Sequence, residues 1–249
     1  TRLSEALLKQ RNSLENIVTY CAHLDCLLAL SYVCRERNWV KPEITVGGDI
    51  SIRDGRHPLQ ETTLNNFIAN DTEMGRQGGR VHFLTGPNSS GKSVYMKQVG
   101  LIVYLAHLGC FVPASSASIP VLDRINTRIT TTESISTGMS SFMCDINQLT
   151  FSLTHLRPRS LFLVDEFGKG TSAQDGASLL AATVSILADM DQAAPFSIFS
   201  SHFHSVPPLV DSAPQPRSLH MQTEGRVTDL LDYCKLTDGI SKVSRATRV

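Results

Sequence analysis

Gly86-Pro-Asn-Ser-Ser-Gly91-Lys92-Ser93 is the stretch whose reading decides the fold. It has a glycine, four residues, then Gly-Lys-Ser, the pattern of a phosphate-binding loop. Its flanks agree: Arg80–Thr85 is a short apolar run that predicts a strand, and Val94–Tyr104 predicts a helix. Gly86 and Gly91 are free to adopt positive φ, so successive N–H groups can turn inward as a nest for an anion. The helix N-terminus adds unsatisfied N–H groups and a positive dipole end. Lys92 then reaches β- and γ-phosphates, and the Ser93 hydroxyl is placed to ligate Mg²⁺. A glycine turn before an ordinary helix is the bland alternative, and the motifs downstream weigh against it.

Ser160-Leu-Phe-Leu-Val-Asp165-Glu166 is an apolar strand ending in two carboxylates. A strand apolar on both faces belongs inside a parallel sheet, and ligands of such sheets bind at the strands' carboxyl ends. Asp165 is therefore expected to hold Mg²⁺ through water, and Glu166 to polarise an attacking water. The glycine-rich turn Phe167–Gly176 delivers Asp175 to a helix start at Ala177–Met190. A further apolar strand, Pro195–Ser201, ends on His202. A lone histidine is more often structural, but at this strand tip it is placed to sense a γ-phosphate.

Upstream, residues 4–37 carry apolar residues at three- and four-residue steps (Leu7, Leu14, Ile17, Val18, Cys21, Leu24, Leu28, Val33). They predict a helical arm whose stripe is plain core packing. Ile44–Ile52 alternates and ends on Arg53-Asp-Gly55, which predicts a strand and hairpin turn. Phe67, just before the phosphate-loop strand, is either a core residue or a surface for a purine base; the sequence leaves both open. Residues 133–143 form a Ser/Thr-rich loop before a helix at Asp145–Leu156. That loop is either a capped connection or a set of hydroxyls presented to a phosphate.

Composition bounds the partners. Lys plus Arg and Asp plus Glu are 23 each, so no global basic field exists to hold nucleic acid. The six cysteines contain no CxxC, which favours free thiols in an intracellular protein. No signal peptide or membrane-spanning run stands out, giving the expectation of a soluble protein. The chain opens on Thr1 rather than Met, which points to a piece of something longer.

Together these residues resemble the ATPase domain of the MutS family of DNA mismatch-repair and recombination proteins. The resemblance is carried by Phe67-Ile-Ala-Asn70, Thr85–Ser93, Phe111-Val-Pro-Ala114, Ser140-Ser-Phe-Met143, Leu163–Ser172 and Ser201-His-Phe203, in that order. It runs from about Glu43 to the end. It implies an α/β phosphate-loop NTPase domain of the ABC type, with a mainly parallel central sheet flanked by helices. Residues 1–41 would be the end of the family's helical lever, and 42–249 the ATPase domain without its C-terminal dimerisation tail. Ser89-Ser90 in place of Met-Gly, and Phe167-Gly-Lys in place of Ile-Gly-Arg, resemble the meiotic subgroup, the fifth MutS homologue of eukaryotes.

The resemblance further implies ATP and Mg²⁺ as cofactors and a DNA-dependent ATPase in the nucleus. Its expected partner is the fourth homologue, in a heterodimer clamping mismatched or branched DNA through regions outside this stretch, in crossover formation and with no membrane involved. By position, Phe67 and Ile68 would contact adenine, and Gly86, Pro87, Asn88, Ser89, Ser90, Gly91, Lys92 and Ser93 would bind the phosphates. Glu166, Lys92 and His202 would be catalytic, with His202 the switch histidine, and Ser93 and Asp165 would hold Mg²⁺. Ser140 would complete the partner's ATP site in trans, with Asp175 in the loop between the two sites. Two other classes compete: a small-molecule phosphate-loop kinase, for which no arginine-rich lid is visible, and a nucleotide-binding interaction module that does not hydrolyse.

Overall fold

The computed structural model describes residues 8, 10–64, 66–87, 90–129, 141–168, 171–203, 206–210, 216–222 and 235–240. In chain order the elements begin with α1 (Arg11–Glu36), β1 (Glu43–Thr45), β2 (Ile50–Gly55), β3 (Asn70–Met74), β4 (Val81–Thr85), α2 (Lys92–His107) and β5 (Ser116–Pro120). They continue with β6 (Arg124–Arg128), α3 (Ser141–Thr154), β7 (Ser160–Asp165), α4 (Ala173–Asp189), β8 (Phe196–Ser200), α5 (Val206–Leu209), β9 (Arg217–Gln222) and β10 (Lys235–Asp238).

Six strands form the main sheet in the order β6-β7-β8-β4-β9-β10. The first five are parallel, and β10 closes one edge antiparallel to β9. From β4 the chain crosses to β6 at the far edge, returns through β7 and β8, and then passes to β9 on the other side of β4. Such a reversal opens a crevice at the strands' carboxyl ends, where open α/β sheets bind ligands. The phosphate loop leaves β4 there, and the acidic pair leaves β7 at the same edge, with β8 between them.

Period-2 alternation divides each central strand between two cores. Leu161, Leu163 and Ile198 join Leu84 on the α2 face, while Phe162, Val164 and Phe199 join Phe83 on the face covered by α3, α4 and α5. Both faces are buried, as a parallel sheet requires. A second sheet, in the order β1-β5-β2-β3, shares the first core. Tyr95, Met96, Val99, Ile102 and Val103 of α2 are buried together with Ile50, Ile52 and Met74 of the small sheet. Helix α2 is therefore clamped from two sides, and the loop at its N-terminus inherits that rigidity.

Two sequence expectations are corrected. Arg53-Asp-Gly55 is not a hairpin turn but the end of β2, which pairs antiparallel with β3 and β5 through a bulge between Ile52 and Gly55. The β3 carboxylates explain it: the Asp54 N–H donates to Asp71 Oδ1 at 2.8 Å, and Arg53 reaches Asp71 at 3.1 Å and Glu73 at 3.3 Å. Within this chain the α1 stripe does not pack into a core: Cys34 is its one buried residue among those described. Its apolar side chains lie on every side, and one 18-residue window has a mean hydropathy of 1.6. By length and composition alone α1 therefore meets the demand for a membrane span, against the expectation of none, and a helix buried in a larger bundle has the same character. The arm's end is anchored: Trp39 Nε1 donates to Glu61 Oε1 at 3.1 Å, and Arg56 joins Glu61 Oε2 (2.8 Å) to the Arg37 carbonyl (3.2 Å).

Candidate nucleotide site at the carboxyl edge of the main sheet

The loop after β4 has the backbone that its glycines predict. Gly86 has φ +153° and Gly91 φ +92°, the latter as N-cap of α2. A side chain at Gly86 would meet Ser90 Oγ at 2.9 Å, so the first glycine is demanded by space as well as by φ. Lys92 is 4% exposed, and its Nζ donates to the carbonyls of Gly86 (2.7 Å) and Pro87 (2.9 Å). An ammonium held by backbone carbonyls at a glycine loop can exchange them for the oxygens of an anion. The buried Ser90 hydroxyl has no hydrogen-bond partner among the described residues. Ser93 follows half-buried in the first turn of α2. Asn88 and Ser89 lie outside the described residues.

The acidic end is a network across four elements. Asp165, buried at the end of β7, accepts a hydrogen bond from Ser200 Oγ at the end of β8. Glu166 has φ +49°, a left-handed conformation that costs a non-glycine residue about 1 kcal/mol or more. Its N–H donates to the Ser200 carbonyl at 3.1 Å and to Ser200 Oγ at 3.3 Å, which holds that turn. The turn brings Glu166 Oε1 into contact with His202 Nε2. Just past Glu166, Gly168 (φ +88°) lies where a side chain would meet the Gly176 backbone at 2.9 Å, so the turn packs directly on α4. A cavity of about 200 Å³ opens beside Glu166, His202 and Thr171.

Beneath the acids sits a buried cation. Arg128, at the end of β6, donates to the Asp165 carbonyl, and its Nη2 pairs with Asp145 Oδ1 of α3 at 2.5 Å. Their side chains are 3% and 2% exposed. The guanidinium also lies 5.9 Å from the centre of the Phe167 ring. Sequence reasoning missed Arg128, Asp145 and Ser200. The available signal was a cation closing the otherwise uncharged run Ile125-Asn-Thr127 beside a strand buried on both faces.

Phe67 and Ile68 are half-buried and line a cavity of about 220 Å³ together with Gly91 and Val94 of the phosphate-loop helix. The loop carrying them is tied to β10: Lys235 Nζ donates to the Ala69 carbonyl (2.8 Å), and the Leu236 N–H donates to Asn70 Oδ1 (2.7 Å). Asp175 is in the first turn of α4, which begins at Ala173 rather than Ala177, and not in a loop. Its carboxylate accepts from the Ser172 hydroxyl at 2.6 Å, and its N–H donates to the same oxygen at 3.1 Å. That is an N-cap arrangement, and it accounts for both residues locally. Ser140 lies outside the described residues.

The residues fit a polyphosphate and a hard cation. The N-terminus of α2 at Gly91, a buried lysine and an unpartnered hydroxyl suit phosphate oxygens. Ser93 and Asp165 offer oxygen donors at one sheet edge, and Mg²⁺ characteristically takes few protein ligands, leaving the rest to water and phosphate. The class that fold and site define is an α/β domain with a phosphate-loop edge and an acidic pair facing it.

Residues 82–249 match the family described as MutS domain V. Relatives include the DNA mismatch repair protein MutS of Methanococcoides burtonii, 36% identical over 250 residues, covering all of this chain and 28% of that protein. The namesake of Methanosarcina barkeri is 34% identical with the same coverage, and that of Clostridioides difficile is 37% identical over 209 residues, 83% of this chain and 22% of that protein. The chain belongs to the MutS family. It spans only 22% to 28% of the length of these relatives.

Proposed function

We propose that this chain binds and hydrolyses ATP, and that its nucleotide state drives the clamping of mismatched or branched DNA by a longer MutS-family protein. The observation that carries the reading is the gathering of Lys92, Asp165, Glu166 and His202 at one sheet edge, although they are separated by up to 110 positions in the chain. Lys92 exchanges its loop carbonyls for phosphate oxygens. Phe67 and Ile68 receive the base. Glu166, turned toward the cavity by its left-handed backbone, accepts a proton from the attacking water. His202 holds that carboxylate in place and is positioned to respond to a γ-phosphate. Ser93 and Asp165 would hold Mg²⁺, which when bound neutralises charge on the β- and γ-phosphates.

Ser140 and Asp175 are assigned to the interface with a partner subunit, whose site Ser140 completes. Asp175, committed to capping α4, would act there through the position of that helix. The sequence features Ser89-Ser90 and Phe167-Gly-Lys support placement in the meiotic branch, with a nuclear setting, the fourth homologue as partner and a role in crossover formation. The relatives named above are archaeal and bacterial mismatch-repair proteins, so the partner is what an experiment must identify.

Phosphate release from ATP is measured for the chain alone, with an added fourth-homologue protein, and with branched DNA. Slow turnover that rises with the partner and vanishes in Glu166→Ala, with nucleotide binding intact, is the expected result. Unchanged turnover in Glu166→Ala overturns the assignment of the base. A phosphorylated acceptor in place of free phosphate overturns hydrolysis as the reaction.

A further inference from the structure

Three buried serines lie in β8 and at its end, and they are not used alike. Ser197 Oγ donates to the Pro195 carbonyl at 3.2 Å, and Ser201 Oγ accepts from the Phe203 N–H at 2.9 Å, so each bonds within two residues of itself. Ser200, fully buried, reaches across the sheet to β7 instead. The register makes this possible, because Ser200 stands opposite Asp165 where β7 and β8 run parallel. Alternation puts both side chains on the face that Leu163 and Ile198 turn toward α2.

The hydroxyl's two roles are fixed by its neighbours. An ionised carboxylate only accepts, so Oγ donates to Asp165 Oδ1; a backbone N–H only donates, so Oγ accepts from Glu166 at 3.3 Å. Glu166 is thereby referred to β8 at two points, its N–H at Ser200 and its Oε1 at His202 Nε2. The 3.1 Å bond from the Glu166 N–H to the Ser200 carbonyl is one that any residue at this position supplies. The hydroxyl is what serine adds, and it touches both the carboxylate assigned to Mg²⁺ and the amide of the residue assigned as base. A left-handed non-glycine residue persists only where its surroundings over-determine it.

We propose that Ser200 is a positioning residue for hydrolysis, whose hydroxyl sets the Asp165 carboxylate and the Glu166 turn relative to each other. The inference rests on the nucleotide-site reading above and adds to it a residue that acts through two others. Partners standing behind a metal-binding carboxylate orient it, and losing one typically costs about 10- to 100-fold in metal affinity or activity. Misplacing a reacting group has a comparable effect on rate without weakening substrate binding.

The test compares Ser200→Ala with the wild-type chain, with the partner and branched DNA supplied. Phosphate release at saturating Mg²⁺ gives kcat and KM for ATP, and electron paramagnetic resonance follows Mn²⁺ binding to the chain with ADP present. The expected result is a kcat lowered about 10-fold or more and Mn²⁺ bound about 10-fold or more weakly, with KM within about 2-fold of wild type. Both readouts have to move: a change in one without the other overturns the claim that one hydroxyl sets both groups. So does a raised KM with kcat unchanged. Should Ser200→Ala not fold, Ser200→Cys decides, since its thiol fills the same space but donates weakly; wild-type values there overturn the inference. Wild-type turnover that Ser200→Ala leaves unaltered overturns this inference alone. Absence of wild-type turnover overturns hydrolysis, and the inference with it.

Discussion

At the carboxyl end of β4, one loop assembles Gly86, Ser90 and Lys92 within a few residues of chain. At the ends of β7 and β8, the corresponding assembly draws Arg128 from β6, Asp145 from α3, Asp165 and Glu166 from β7, and Ser200 and His202 from β8. The first region is built from backbone geometry and one buried cation. The second is a network of side chains that hold one another. A local loop depends on its own φ angles and on the helix behind it, whereas a network depends on the register of three parallel strands. Damage should therefore spread differently from the two ends.

The largest effect is expected at the network. Glu166→Ala should lower phosphate release by about 10²- to 10⁴-fold, the range for loss of a general base, with nucleotide affinity retained in a binding assay. Asp145→Ala leaves the Arg128 guanidinium buried beside the Asp165 backbone without its carboxylate, and should destabilise the fold by about 3–5 kcal/mol in urea unfolding. The paired change Arg128→Met with Asp145→Leu should recover most of that loss, because it removes both charges together. If the double variant is no more stable than Asp145→Ala, the pair is not the support described here.

Beneath the binding end, the strand itself contains a pH-sensitive element. His82 of β4 is buried, its Nε2 lies 2.8 Å from the Gly78 carbonyl, and burial pushes its pKa down to about 4 from an ordinary 6.5. The folded state thus binds this proton less readily than the unfolded chain. Its contribution is intact above about pH 6.5 and is lost as pH falls from there to about 4. At about 1.4 kcal/mol per pH unit the loss totals about 3 kcal/mol. His82→Asn should flatten the dependence of the urea midpoint on pH across that window; an unaltered slope excludes His82 as its source. The smallest effect is expected at the loop: Lys92→Ala should weaken triphosphate binding by about 10- to 100-fold, the value of one or two charge-assisted hydrogen bonds. A urea midpoint that stays near the wild-type value would assign the lysine to binding rather than to folding.

The same contrast explains what could be read from sequence. The glycine turn between β4 and α2 was legible because it depends on residues adjacent in the chain, and the strand ending in Asp165-Glu166 was legible because an uncharged run before two acids has few other uses. Arg128, Asp145 and Ser200 were not, since each is defined by a partner 17 or more positions away in the chain. The helix of α1 was legible, yet its apolar side chains lie on every side, and spacing alone does not say what they meet. Arg53-Asp-Gly55 carries a turn signature, but the Asp71 and Glu73 carboxylates of β3 draw it into a strand instead.

By itself the sequence determined the positions of the loop glycines, the lysine after them and the acidic strand end, because steric freedom, charge and strand hydrophobicity are properties of neighbouring residues. Only the tertiary structure decided that Glu166 turns left-handed onto His202 and that a buried guanidinium braces the acid strand. Those outcomes depend on strand order and on desolvation, which arise only once β6, β7, β8 and β4 lie side by side and exclude water between them.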